Sequence, residues 1–123
     1  MGINSTEVSY GFGQLGSVFN DTASAITPPT GKVFVAITML GDTVFNATTG
    51  LVGQNDPAGS GLEYVSTDAP VHNLTVGSET TSSGGGGKVI DASNTFPKGV
   101  TIYGRWTKIT TNGATPILAY IGH

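Results

Sequence analysis

Cysteine is absent from the 123 residues. That excludes a disulfide scaffold, a thiolate zinc site and a thiol nucleophile, so the fold must hold by packing and hydrogen bonding alone. Charge is scarce, at 11% of residues with a net charge of −3, where an average domain carries about 25%. The five cations, Lys32, Lys88, Lys98, Arg105 and Lys108, are scattered along the chain. Non-specific binding to DNA or RNA needs clustered cations that displace counterions from phosphate, so no nucleic-acid partner is expected. No apolar run reaches the ~18 residues of a membrane span, and no membrane partner is expected. Met1 to Tyr10 show neither a charged n-region nor an apolar h-region, so no signal peptide is expected. Leucine occurs only six times, and no window sustains the i, i+3, i+4, i+7 apolar pattern of a helix.

Small and β-branched residues are abundant instead. The chain has 19 glycines, 18 threonines and 10 serines, and Val, Ile and Thr together number 37. Stiff β-branched side chains suit a pleated surface. The reading is all-β: one domain over residues 1–123, a β-sandwich or small barrel of seven to eight strands, jelly-roll-like, with an extended N-terminal arm over 1–12. A chain of this length can bury roughly two thirds of its unfolded surface.

The strongest strand is Lys32 to Leu40. Alternation puts Val33, Val35, Ile37 and Met39 on one face and Phe34, Ala36, Thr38 and Leu40 on the other. Both faces are mostly apolar, which predicts a central strand covered on two sides, or on one by a partner chain. Val8 to Leu15 alternates with period two and is a first strand candidate. Residues 20–31, with two prolines and a glycine, read as a loop. Thr43 to Asn46, Leu62 to Val65, Val71 to Val76 and Lys88 to Asp91 are short strand candidates, the first pairing back across the Gly41-Asp42 turn. Residues 50–61 form a loop by composition, and 77–87, ending in four glycines, are the least ordered stretch by composition. Phe96 to Gly99 is a turn and Val100 to Thr110 a long strand. Val100, Ile102, Gly104 and Trp106 share a face there; Ile109 falls out of phase, which predicts a bulge between Trp106 and Ile109. Asn112-Gly113 is a strong hairpin signal, with Ile117 to Ile121 returning as the last strand.

Catalytic and metal patterns fail on inspection. Gly87-Lys88 suggests a phosphate loop, but Ser82 stands where the first glycine belongs and Val89 where Ser or Thr belongs. His72 has no second ligand at metal spacing, and reads as a histidine half buried in a sheet face. Asp68 lies four residues away, over ~10 Å in an extended chain, too far for a base–nucleophile relay. Asp42, Asp56, Glu63, Asp68 and Asp91 show no spacing that makes a carboxylate pair across a cleft. No D-x-D-x-D-G calcium loop occurs, though loop Asp and Asn residues leave a calcium site open. No cofactor is expected. Met1-Gly2 with Thr6 fits a loose myristoylation pattern, and Asn4, Asn20, Asn46 and Asn73 begin N-x-[ST] sequons; both read as chance in a chain so rich in Gly, Ser and Thr. Most aromatics lie inside strand candidates, where core packing is the default reading.

The segment from Phe96 through Gly122, with its Phe-Pro-Lys-Gly-Val-Thr-Ile-Tyr-Gly-Arg-Trp strand and Ala-Tyr-Ile-Gly end, resembles the C-terminal end of small structural proteins of tailed bacteriophages, especially phages of marine cyanobacteria. The resemblance implies a non-enzymatic virion component. One role of such proteins is to decorate or cement the capsid, often as a homotrimer on its outer surface, so the implied partners are the major capsid protein and the chain's own copies. On that reading the capsid contact is expected on the N-terminal arm, at Gly2, Ile3, Val8, Tyr10 and Phe12, where an extended segment could add to a sheet edge. The trimer contact is expected on the strand faces near Tyr103 and Trp106. The alternatives are a tail or fibre module that binds a host glycan or receptor, and a secreted carbohydrate-binding module or hydrolase.

Overall fold

The computed structural model describes residues 15–47, 49–54, 65–67, 75–76, 79–80 and 90–123. Nine strands lie among them: β1 (Ser17–Asn20), β2 (Val33–Met39), β3 (Thr43–Val44), β4 (Leu51–Gly53), β5 (Thr75–Val76), β6 (Glu79–Thr80), β7 (Thr95–Phe96), β8 (Thr101–Ile109) and β9 (Ile117–Gly122). No helix occurs among the described residues. Seven of the strands make two antiparallel sheets, a five-stranded one in the order β1-β9-β2-β8-β4 and the pair β3-β7; β5 and β6 form a separate ribbon. The fold is a small all-β sandwich. β2 is the middle strand of the larger sheet, as its two apolar faces require.

One face of that sheet carries the core. Phe34, Ile37, Met39, Leu51, Trp106, Ile109, Ile117, Ala119 and Ile121 pack there, with Phe45, Ile90, Val65 and Phe96 over them. The rings of Phe45 and Phe96 meet edge to face at 5.4 Å, a favoured aromatic geometry. Trp106 is fully buried, and its indole N–H donates to the Val65 carbonyl at 2.7 Å. Burying the ring therefore leaves no orphan donor.

Bulges decide which residues face this core. The bulge expected between Trp106 and Ile109 lies there: Lys108 opposes Val52 and Trp106 opposes Gly53, so Thr107 is the extra residue. A second irregularity lies at Val35 and changes the expected faces of β2. One stretch of sheet runs from Ile121 to Ala119 on β9, from Phe34 to Ile37 on β2 and from Trp106 to Ile102 on β8. That is two, three and four steps on successive strands, so the sheet fans open. Phe34 thereby joins Ile37 and Met39 in the core, and Val35 leaves them. A Cβ on Gly104 would lie 2.6 Å from the Trp106 ring, so the fan also needs a residue without a side chain there.

Several sequence expectations are corrected. Asn112-Gly113 does not close a hairpin. β8 and β9 both run antiparallel to β2, which lies between them, so they are parallel to each other and no tight turn can join them. After β8 the chain instead reaches the second layer: Thr111 bridges Phe45, and Asn112 N–H donates to the Val44 carbonyl at 2.7 Å. β3 pairs with β7 rather than back onto β2, so Phe96 is in a strand and only Lys98-Gly99 turns. Ile90 and Asp91 are not in a strand; Ile90 N–H donates to the Ser66 carbonyl at 2.8 Å instead. Val65 is a bend residue and Leu15 a turn residue. Of Val71 to Val76, only Thr75 and Val76 are described, in β5. The expected strand over 8–14, the arm over 1–12 and the four glycines at 84–87 lie outside the described residues.

Candidate interaction surface

Strand alternation that sends Val18, Ile117, Ala119 and Ile37 inward sends their neighbours to the other face of the five-stranded sheet. The register aligns those neighbours in two rungs. Phe19, Leu118, Thr38 and Thr101 form one, and Ser17, Tyr120, Ala36 and Tyr103 the next. Strand spacing makes this surface roughly 14 Å wide, with the rungs about 7 Å apart. None of the eight side chains carries a charge at neutral pH.

The surface has relief. Phe19 at one margin is 58% exposed and Tyr103 at the other is 61% exposed. Ala36, between Tyr120 and Tyr103, is 1% exposed, so the middle of that rung is low. The Thr38 and Thr101 hydroxyls bond each other at 2.8 Å. Leu40, just past the end of β2, adds another exposed apolar side chain. Basic groups gather toward the opposite end of β2. Arg105 donates to Gln54 Oε1 at 2.6 Å and to the His123 carbonyl at 2.7 Å, while Lys32 Nζ lies 3.2 Å from His123 Nδ1. The surface is equipped for aromatic stacking and dispersion contacts. Its exposed rings stand at the two margins, with half-buried Leu118 and Tyr120 between them, and offer contact to another surface.

The structure separates the two residues expected at an oligomer contact. Tyr103 lies on this outer surface, but Trp106 is fully enclosed by the protomer's own core and offers no atom to a partner. Alternation along β8 already sets Tyr103 on the face opposite Trp106, three positions away, and the core packing of Ile102 with Trp106 makes the Tyr103 face the outer one. Gly2, Ile3, Val8, Tyr10 and Phe12, expected at a capsid contact, lie outside the described residues, as do His72, Asp56, Glu63 and Asp68. Asp42 and Asp91 are engaged in local structure. Asp42 Oδ1 accepts from Lys98 N–H at 2.9 Å, and Asp91 Oδ1 from Ser93 N–H at 2.9 Å. Among the described residues no three of His, Asp and Glu gather as metal ligands would. Phe19, Leu118 and Tyr120 are members of the surface that the composition argument missed. The Ser17-Val18-Phe19 run alternates, but it is too short to signal the first of them.

Comparison with protein-family models, with curated proteins and with solved structures returns no match in any of the three.

Proposed function

We propose that this chain is a non-enzymatic virion protein of a tailed bacteriophage that binds the outside of the capsid and bridges capsomers. The observation that carries the reading is the build of the Phe96–Gly122 segment. Its phage-like motif supplies β8 and β9, and these present Tyr103, Leu118 and Tyr120 on an uncharged outer sheet face. Such a face suits contact with other protein surfaces. Tyr103 is the centre of the self-contact, and a homotrimer is the unit. The N-terminal arm, with Gly2, Ile3, Val8, Tyr10 and Phe12, reaches to the major capsid protein and adds to a sheet edge there. Three modest contacts made together hold far more tightly than one, which suits a clamp against internal DNA pressure.

The test is the solution mass by light scattering, together with co-sedimentation on empty phage heads. A trimer that sediments with heads, in hundreds of copies per particle, is the expected result. A monomer that stays in the supernatant overturns the reading. A few to tens of copies confined to tails would point to a tail or fibre module instead.

A further inference from the structure

Among the described residues β1 is an edge of the five-stranded sheet, with β9 on one side and no described strand on the other. Ile121 donates its N–H to the Gly16 carbonyl at 2.9 Å, which sets the phase of the ladder. Gly16, Val18 and Asn20 direct their peptide groups to β9; Ser17 and Phe19 direct theirs away from the sheet. Those outward N–H and C=O groups meet no backbone partner among the described residues. Edge strands in natural sheets are commonly guarded by lysine, proline or a bulge. β1, Ser-Val-Phe-Asn, has neither residue, and its register with β9 is regular. Its exposed side chains are Ser17 and Phe19.

We infer that β1 pairs antiparallel with β1 of a second copy of this chain, about a two-fold axis through Val18. The phase is self-complementary. Centring the pair on Val18 sets Ser17 opposite Phe19 of the second copy, and Phe19 opposite its Ser17. All four outward N–H and C=O groups of each strand then find partners. The charge pattern also suits a second copy. Within four sequence positions of β1 the one ionisable residue is Asp21, and in this register it faces Leu15 of the second copy. The two Asp21 carboxylates stand six residues apart along the strands, about 20 Å, more than twice the ~8 Å screening length at physiological salt. The outer rungs join as well: Phe19 of the second copy continues the rung of Tyr103, Ala36, Tyr120 and Ser17, beside the small Ser17. The positive φ of Gly16, 104°, ends the extended stretch and keeps the pairing short. Four hydrogen bonds and two rings cover much less than the ~800 Å² per partner of a stable complex. The contact is therefore weak in dilute solution and strengthens where copies are held close together. It stands independently of the virion reading.

Cysteine substitution tests it directly, because the chain has no cysteine of its own. In the proposed register the Val18 Cα atoms of the two copies lie about 4.5 Å apart as a non-hydrogen-bonded pair, within the span of a disulfide. The Ser17 Cα atoms lie beyond ~7 Å, outside that span. Val18→Cys is expected to form a covalent dimer under mild oxidation, at least tenfold faster than Ser17→Cys at the same concentration. Phe19→Lys, placed in the Val18→Cys chain, is expected to suppress that dimer, with near-ultraviolet circular dichroism checking that the fold persists. Analytical ultracentrifugation of the unmodified protein is expected to show association that rises with concentration. Equal crosslinking at positions 17 and 18, crosslinking insensitive to Phe19→Lys in a folded chain, or a species that stays monomeric at millimolar concentration would each overturn the inference. A Val18 dimer that ignores phage heads would leave it standing while removing the virion reading. A head-binding trimer without Val18 crosslinks would do the reverse.

Discussion

Trp106 shows how one residue sets demands on its neighbours. The indole fills the middle of the core and satisfies its N–H at Val65, and its ring edge occupies the space where a side chain at 104 would begin. Gly104→Ala puts a methyl group 2.6 Å from Trp106 Cζ2, so the ring or the strand must move. Overpacking a formed core costs about 1–3 kcal/mol. That loss is expected as a lower denaturation midpoint, with altered emission from Trp106, the sole tryptophan. An unchanged midpoint would mean the ring does not rest on Gly104. Trp106→Phe keeps much of the packing and leaves the Val65 carbonyl without its donor, for an expected cost of about 1–3 kcal/mol, and Trp106→Ala should cost about 3–5 kcal/mol. Tyr103→Ser, on the other side of the same strand, should change stability by no more than about 1 kcal/mol.

Within the sheet, the Thr38–Thr101 pair ties β2 to β8 through hydroxyls alone. A double-mutant cycle isolates its worth. Thr38→Val leaves the Thr101 hydroxyl half-buried and without that partner, and should cost about 1 kcal/mol; Thr38→Val with Thr101→Val removes both groups and should cost less than twice that. Additive losses in urea denaturation would show that the two hydroxyls do not depend on each other. The same elements show what the sequence makes readable. β2, β8 and β9 are runs rich in β-branched and aromatic residues, so their spans are legible, and the out-of-phase Ile109 betrays the bulge at Thr107. The irregularity at Val35 leaves no such trace, because Val fits either face of a doubly apolar strand. Asn112-Gly113 carries the chemistry of a tight turn, but turn residues do not report which strands lie side by side. β2 occupies the place between β8 and β9, and that is a matter of pairing far along the chain. β1 is only four residues long, too short for alternation to stand out beside a polar loop. Of the surface's large side chains only Tyr103 was legible, whereas Phe19 belongs to a strand that only its pairing with β9 defines.

For the whole molecule, the proposed arm and the folded domain should separate cleanly. Among the described residues, the core cluster lies at position 34 or later, and the side chains packed against it begin at Leu15. Deleting residues 2–9 removes none of these contacts, so the thermal midpoint should stay within a degree or two, since loss of even ~1 kcal/mol would shift it by several degrees in a domain of this size. Capsid occupancy should respond differently. An arm that adds to a sheet edge supplies main-chain hydrogen bonds and apolar anchors together, and a trimer that loses three arms loses the multiplied advantage of three tethers. The expected result is a truncated protein that is folded, keeps its oligomeric state, and falls to a small fraction of full occupancy on empty heads. Tyr103→Ser is the complementary variant: the arm is intact, and the expected loss is of the trimer first and of occupancy as its consequence. Unchanged occupancy after the deletion would move the capsid contact off the arm and onto the domain surface. The Tyr103 variant would then show whether the outer face of the five-stranded sheet makes that contact itself.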